Sequence, residues 1–193
     1  MSAHIERVST RGEARQTWAA TLVMVVGFAV LVARPFAAEA TTGTRTALFA
    51  ASYLTIGLAS IAVPLERERP HLAPGLALLW GFGALAVAAN VSGSPVPLPW
   101  GAAALPLSLL AAVAEEALFR RLAFARLESF GPAVAIVGSA MLFGLVHVPA
   151  YGLSALPVDV GAGLLFGWQR WASGTWTVPA ATHAVANALV VLR

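Results

Sequence analysis

Two adjacent acids, two histidines and an asparagine stand inside apolar stretches of this sequence. They are Glu115 and Glu116, His147, His183 and Asn187, with Arg120 just behind the acids. A charge at the centre of a bilayer costs about 2.5–3.5 kcal/mol on insertion scales, so ionisable groups in such stretches are candidates for chemistry. Glu116 and Arg120 are four apart with the acid first, the favourable order for a pair on one helix face. Glu115 is turned about 100° from Glu116 and can meet a different partner. His183 and Asn187 are also four apart and share a face. A carboxylate and an imidazole can jointly hold a water and take its proton, so that the water attacks a peptide carbonyl. A second histidine and an amide can donate hydrogen bonds to the oxyanion that forms. Glu115, His147 and His183 are also the right types to hold a catalytic zinc with a water in the fourth position. Spacing alone leaves both chemistries open.

The elements that must position these groups are read from composition. The chain is 59% hydrophobic and 11% charged, with a mean hydropathy of +0.78, whereas a soluble domain carries roughly 25% charged residues. Lipid is therefore the expected solvent. A bilayer span needs about 20 mostly apolar residues, and seven runs answer that description: 17–34, 47–64, 72–90, 100–120, 132–149, 153–169 and 176–192. The expected fold is an all-α polytopic membrane bundle of about seven transmembrane helices. Short Gly- and Pro-containing segments punctuate the runs, as turns require. No repeat is visible, and the absence of cysteine excludes disulfides and thiolate metal sites.

Depth can be checked by arithmetic. Runs four and five turn near Ser129, with Glu115 14 residues before the turn and His147 18 after it. At about 1.5 Å per residue they lie within roughly 6 Å of one level. His183 lies 10 residues past the turn at Ser173, some 6 Å from that level on the same arithmetic. One carboxylate, two imidazoles and an amide are thus expected to converge inside the membrane.

All twelve basic residues are arginine, the formal charge is +3 and the pI is about 10.6. With the N-terminus inside, Arg7, Arg11, Arg15, Arg67, Arg69, Arg120, Arg121, Arg126 and Arg170 fall on the inner side. Only Arg34, Arg45 and Arg193 fall outside. This bias predicts a cytoplasmic N-terminus and an odd number of spans, and explains the basic balance without a nucleic-acid partner. Residues 1–16 are read as a cytoplasmic tail. Ala38-Glu39-Ala40 imitates a signal-peptide cleavage site, but the first run is read as an uncleaved helix.

The strings E-E-A-L-F-R (Glu115–Arg120), F-G-L-V-H (Phe143–His147) and H-A-V-A-N (His183–Asn187) read as E-E-x-x-x-R, F-x-x-x-H and H-x-x-x-N. In this order, on separate membrane helices, they resemble the three motifs of the CAAX-protease and bacteriocin-processing (Abi) family of intramembrane proteases. The resemblance covers roughly residues 98–192, in a domain taken as 98–193. The helices in 17–97 carry no recognised motif. It implies a helix bundle around a polar cavity, with Glu115 and His147 activating water and His183 and Asn187 stabilising the oxyanion. Glu116 and Arg120 would support and orient the site. It also implies an endopeptidase acting on a membrane-anchored protein or peptide, of CAAX, sorting or bacteriocin-processing type. The asparagine suits a glutamic-type mechanism without cofactor better than a zinc set of Glu115, His147 and His183.

Other polar and small residues have plainer readings. Asp159 is expected at a helix N-terminus, where a carboxylate is favourable. Arg121 and Arg126 are read as topology determinants and Phe143 as packing. Gly163 and Gly167 are read as a close helix contact, and Trp100, Trp171 and Trp176 as interfacial anchors. Two rival functions share these features: a non-catalytic scaffold or immunity protein on the same fold, and a proton-coupled carrier. A carrier would show broken helices in both halves, whereas the buried polar groups here all lie in the second half.

Overall fold

The computed structural model describes residues 2–37, 40–65, 70–91 and 101–192, with side chains from Thr17 onward except at 89–91. Arg7, Arg11 and Arg15 as side chains, Ala38 and Glu39 of the cleavage-like triplet, Arg67, Arg69, Trp100 and Arg193 lie outside the described residues. What is described is an all-α membrane bundle with no strand. We number its helices α1 (Ser2–Ala33), α2 (Thr42–Ala62), α3 (Pro74–Val91), α4 (residues 104–127), α5 (Pro132–Tyr151), α6 (Leu156–Ser173) and α7 (Thr177–Leu192). The segment expected as a polar tail continues α1 as helix.

The helix ends follow from local chemistry. Thr41 caps α2, its side chain accepting from the Thr44 amide at 3.4 Å. α2 ends at Val63, which is extended ahead of Pro64. Between α4 and α5, Gly131 takes a φ of 105° that favours glycine, and Pro132 opens the next helix. Gly174, at φ 65°, closes α6 in the left-handed region.

Three stretches are long and apolar enough to cross a bilayer unaided: Thr17–Ala37, Thr42–Ala62 and Pro132–Tyr151. α4 misses that description because it carries Glu115, Glu116, Arg120 and Arg121, the charges that make it interesting. It lies inside the bundle, against α2, α5 and α7. Leu54, Leu58, Val137 and Met141 on the apolar spans are exposed, as lipid-facing side chains are. α4 is also longer than its apolar run predicts. It comprises Ala104–Glu116, a π-helical stretch Ala117–Ala123 and Phe124–Leu127. π-helical turns are rare and occur often at functional sites; this one begins directly after the two acids.

α5 and α6 pack through the expected small residues. A Cβ on Gly163 would lie 2.8 Å from the Ala140 Cα and 3.1 Å from its carbonyl oxygen. A Cβ on Gly167 would lie 3.2 Å from the Ile136 carbonyl oxygen. Backbone cannot yield as a flexible side chain can. Gly163→Ala is therefore expected to destabilise the protein by about 1–3 kcal/mol through overpacking. A thermal unfolding midpoint in detergent equal to wild type would contradict the close contact.

Candidate active site

The acids part ways as their angular offset predicts. Glu115 is 2% exposed and Glu116 fully buried, yet each has its own partners. Glu116 Oε1 accepts from Arg120 Nη1 at 2.9 Å and from His183 Nδ1 at 3.0 Å. Glu115 Oε1 accepts from Arg34 Nη1 at 3.0 Å, and its Oε2 faces His147 Nε2 at 3.8 Å. That last separation is too long for a direct hydrogen bond. It suits two groups that share a bridging water.

The tautomer of His147 follows from its other nitrogen. Nδ1 lies 2.8 Å from the Phe143 carbonyl oxygen, which can only accept, so Nδ1 carries the hydrogen. In the neutral ring Nε2, the atom facing Glu115, is then an acceptor. The contact spans one helical turn, which places the phenylalanine and histidine of F-x-x-x-H on one face. Phe143 is packing, as expected, and more besides. Its ring meets His147 (centroids 4.7 Å apart) and His183 (5.6 Å), and the Arg120 guanidinium carbon lies 4.5 Å from its centroid. Phe166 stacks on His183 at 5.0 Å.

Arg120 is wholly buried and ties three helices together. It pairs with Glu116 on α4, donates from Nη2 to the Gly163 carbonyl on α6 at 3.1 Å, and lies over Phe143 of α5. The close approach at Gly163 thus brings a backbone acceptor to a buried cation. Arg170 of α6 in turn donates to the Arg120 carbonyl, inside the π-helical stretch, at 2.9 Å. Arg121, on another side of α4, donates to the carbonyls of Ser60 and Val63 and so caps the end of α2. It has this packing role besides the topological one expected.

Not every motif residue meets at one point. Asn187 is partly buried and donates from Nδ2 to the Ser108 carbonyl at 2.9 Å, toward the start of α4. His183 turns to Glu116. The two share a helix but take separate partners, and the amide keeps one hydrogen beyond this contact.

Two residues that sequence reasoning missed complete the cluster. Arg34, counted as a topology marker outside the membrane, reaches Glu115 from the end of α1. Tyr53 of α2 accepts from the same Arg34 Nη1 at 3.0 Å. Asp159 does lie in the first turn of α6, as expected. It is also within electrostatic range of His147, Glu115, Arg34 and His183, and its Oδ2 is buried without a hydrogen-bond partner. Tyr151 stacks on His147 at 5.8 Å.

A zinc set of Glu115, His147 and His183 fits this arrangement poorly. Among the described residues no three His, Asp or Glu are gathered to hold a metal ion. The Arg34 guanidinium occupies one oxygen of Glu115, where a second cation would be repelled. Residues 97–189 match a family model described as type II CAAX prenyl endopeptidase Rce1-like. Comparison with curated proteins and with solved structures gives no match.

Proposed function

The chain belongs, through residues 97–189, to the CAAX protease family, and from that premise we propose a glutamic-type intramembrane endopeptidase. The observation that carries this reading is the Glu115 Oε2–His147 Nε2 pair, two acceptors 3.8 Å apart inside a membrane bundle. A water between them donates to one and is deprotonated as its oxygen attacks the scissile carbonyl. His183, its Nδ1–H held by Glu116, carries a hydrogen on Nε2 only as the imidazolium, and it is in that form that it donates. The second hydrogen of the Asn187 amide supplies a further donor. Both serve the oxyanion of the tetrahedral intermediate. The proton held by the Glu115–His147 pair then passes to the amide nitrogen as the C–N bond breaks, giving an amine and a carboxylate.

The substrate is a membrane-anchored protein or peptide, with a prenylated tail the first to try. The reading is tested with the purified protein in proteoliposomes and a prenylated CAAX-type peptide, its products identified by mass. Cleavage on the anchor side of a defined peptide bond supports it. A catalogue of such anchored peptides left intact would favour the scaffold reading. We also propose that all seven helices cross the bilayer with the N-terminus inside, on the arginine bias. The chain has no cysteine, so single cysteines report cleanly. Gly43→Cys is expected to react with an impermeant maleimide in whole cells and Ser129→Cys only after permeabilisation. The reverse pattern inverts the topology.

A further inference from the structure

We infer that Arg34, seated on Tyr53, is the positioning residue for the Glu115 carboxylate, so that the motif-free N-terminal helices complete the active site. The inference rests on the reading of Glu115 as the water-activating base. It goes beyond that reading, because Arg34 and Tyr53 both lie outside the segment that matches the family.

The geometry starts from the register of α1 against α4. At one end, Arg126 Nη1 lies 3.5 Å from the Thr17 hydroxyl; at the other, Arg34 meets Glu115. From Arg126 back to Glu115 is roughly 16 Å of helix, and from Thr17 to Arg34 roughly 25 Å. The two helices therefore run antiparallel, with Arg34 beginning beyond the level of the acid. Helical side chains lean toward their own N-terminus, and a long arginine covers the remaining distance. α1 gives way at this point to a short turn, Arg34–Ala37, which contains Pro35. Arg34 Nε donates to the Leu31 carbonyl at 2.9 Å, which fixes the side chain in its folded-back course.

Held in this way, Nη1 meets Glu115 Oε1 and the Tyr53 hydroxyl, each at 3.0 Å. The arginine side chain is 10% exposed and that of Glu115 3%. A carboxylate removed from water this completely needs a compensating charge, and Arg34 is the cation that touches it. The contact also divides the labour of the carboxylate. One oxygen is tied to α1, which leaves the other facing His147 Nε2. Tyr53 keeps the guanidinium from rotating away. A carboxylate free to rotate would spend part of its time with neither oxygen beside the imidazole. Misplacement of a reacting group by about 1 Å can cost on the order of 10²-fold in rate.

The test is kinetic, in proteoliposomes with the prenylated peptide. Arg34→Met is expected to lower kcat by about 10²-fold with KM within about threefold of wild type. Arg34→Lys, which restores the charge but not the fork, is expected to recover part of that loss. Tyr53→Phe is expected to lower kcat by a smaller factor, since the ring still packs. Glu115→Gln runs alongside as the inactive reference. If Glu115→Gln is inactive while Arg34→Met keeps the wild-type kcat, the positioning role is overturned and the function reading stands. If Glu115→Gln cleaves like wild type, the function reading falls and takes this inference with it. A double-mutant cycle of Arg34→Met and Glu115→Gln on the thermal midpoint needs no substrate. Non-additive midpoints support the pair, and additive ones overturn it.

Discussion

Arg120→Met is expected to be the most destabilising single change in the bundle, by about 3–5 kcal/mol, because it leaves a buried carboxylate without its cation. That is a large part of the roughly 5–15 kcal/mol that holds a typical protein folded. Both partners are fully buried, so water cannot replace what is removed. Glu116 would keep only His183, the Gly163 carbonyl would lose its donor, and three phenylalanine rings would lose the cation among them. Met follows the aliphatic stem but not the guanidinium, so lost packing adds to an electrostatic loss. Replacing both partners, as Glu116→Leu with Arg120→Met, should restore much of the stability, since well-packed apolar groups often equal a buried pair. It would still leave His183 unanchored and activity low. The measurement is the thermal midpoint in detergent, with expression in the membrane fraction. A midpoint for Arg120→Met within about 2 °C of wild type would mean that the pair contributes little.

A second large effect, on rate with the fold retained, is expected at His147. His147→Ala should lower kcat by about 10³-fold, within the range for loss of a general acid–base group. Its ring touches Phe143 and Tyr151 but ties no second helix by a hydrogen bond of its own. Its Nδ1 bond goes to its own helix, and the helix keeps its backbone ladder without it. The thermal midpoint is therefore expected to move by only a few degrees while turnover collapses. Single-turnover cleavage with excess enzyme separates this from a weaker affinity. A variant that retains a tenth or more of the wild-type rate would remove His147 from the chemistry.

How much of this was legible in the sequence depends on the range of the interaction. Glu116–Arg120 and the facing of Phe143 and His147 are one-turn contacts on single helices, and a spacing of four gives them directly. The convergence of α4, α5 and α7 followed from loop positions and rise per residue. That arithmetic allowed roughly 6 Å of mismatch and could not assign partners. It expected His183 and Asn187 at one point, whereas His183 turns to Glu116 and Asn187 to Ser108. The π-helical stretch was invisible because no residue in Ala117–Ala123 breaks the α-helical pattern. The partner of Arg34 escaped sequence reading for a physical reason. An arginine at the end of an apolar run is what a topology signal looks like, and its true partner is 81 residues away. The one local hint was Pro35, beside which the α-helix gives way to a short turn. Asp159 was correctly placed in the first turn of its helix, and its nearness to His147 was not foreseen.

The central claim is that Glu115, with His147, activates a water inside the membrane to cut a peptide bond. The most direct measurement compares product formation from a prenylated peptide by wild type and Glu115→Gln in the same proteoliposomes, each with and without a zinc chelator. Quantities are matched by folded protein. The account predicts cleavage by wild type that the chelator leaves unchanged, and a loss of at least about 10²-fold in Glu115→Gln at an unaltered KM. Equal cleavage by the two proteins, or cleavage that the chelator abolishes and added zinc restores, would contradict it.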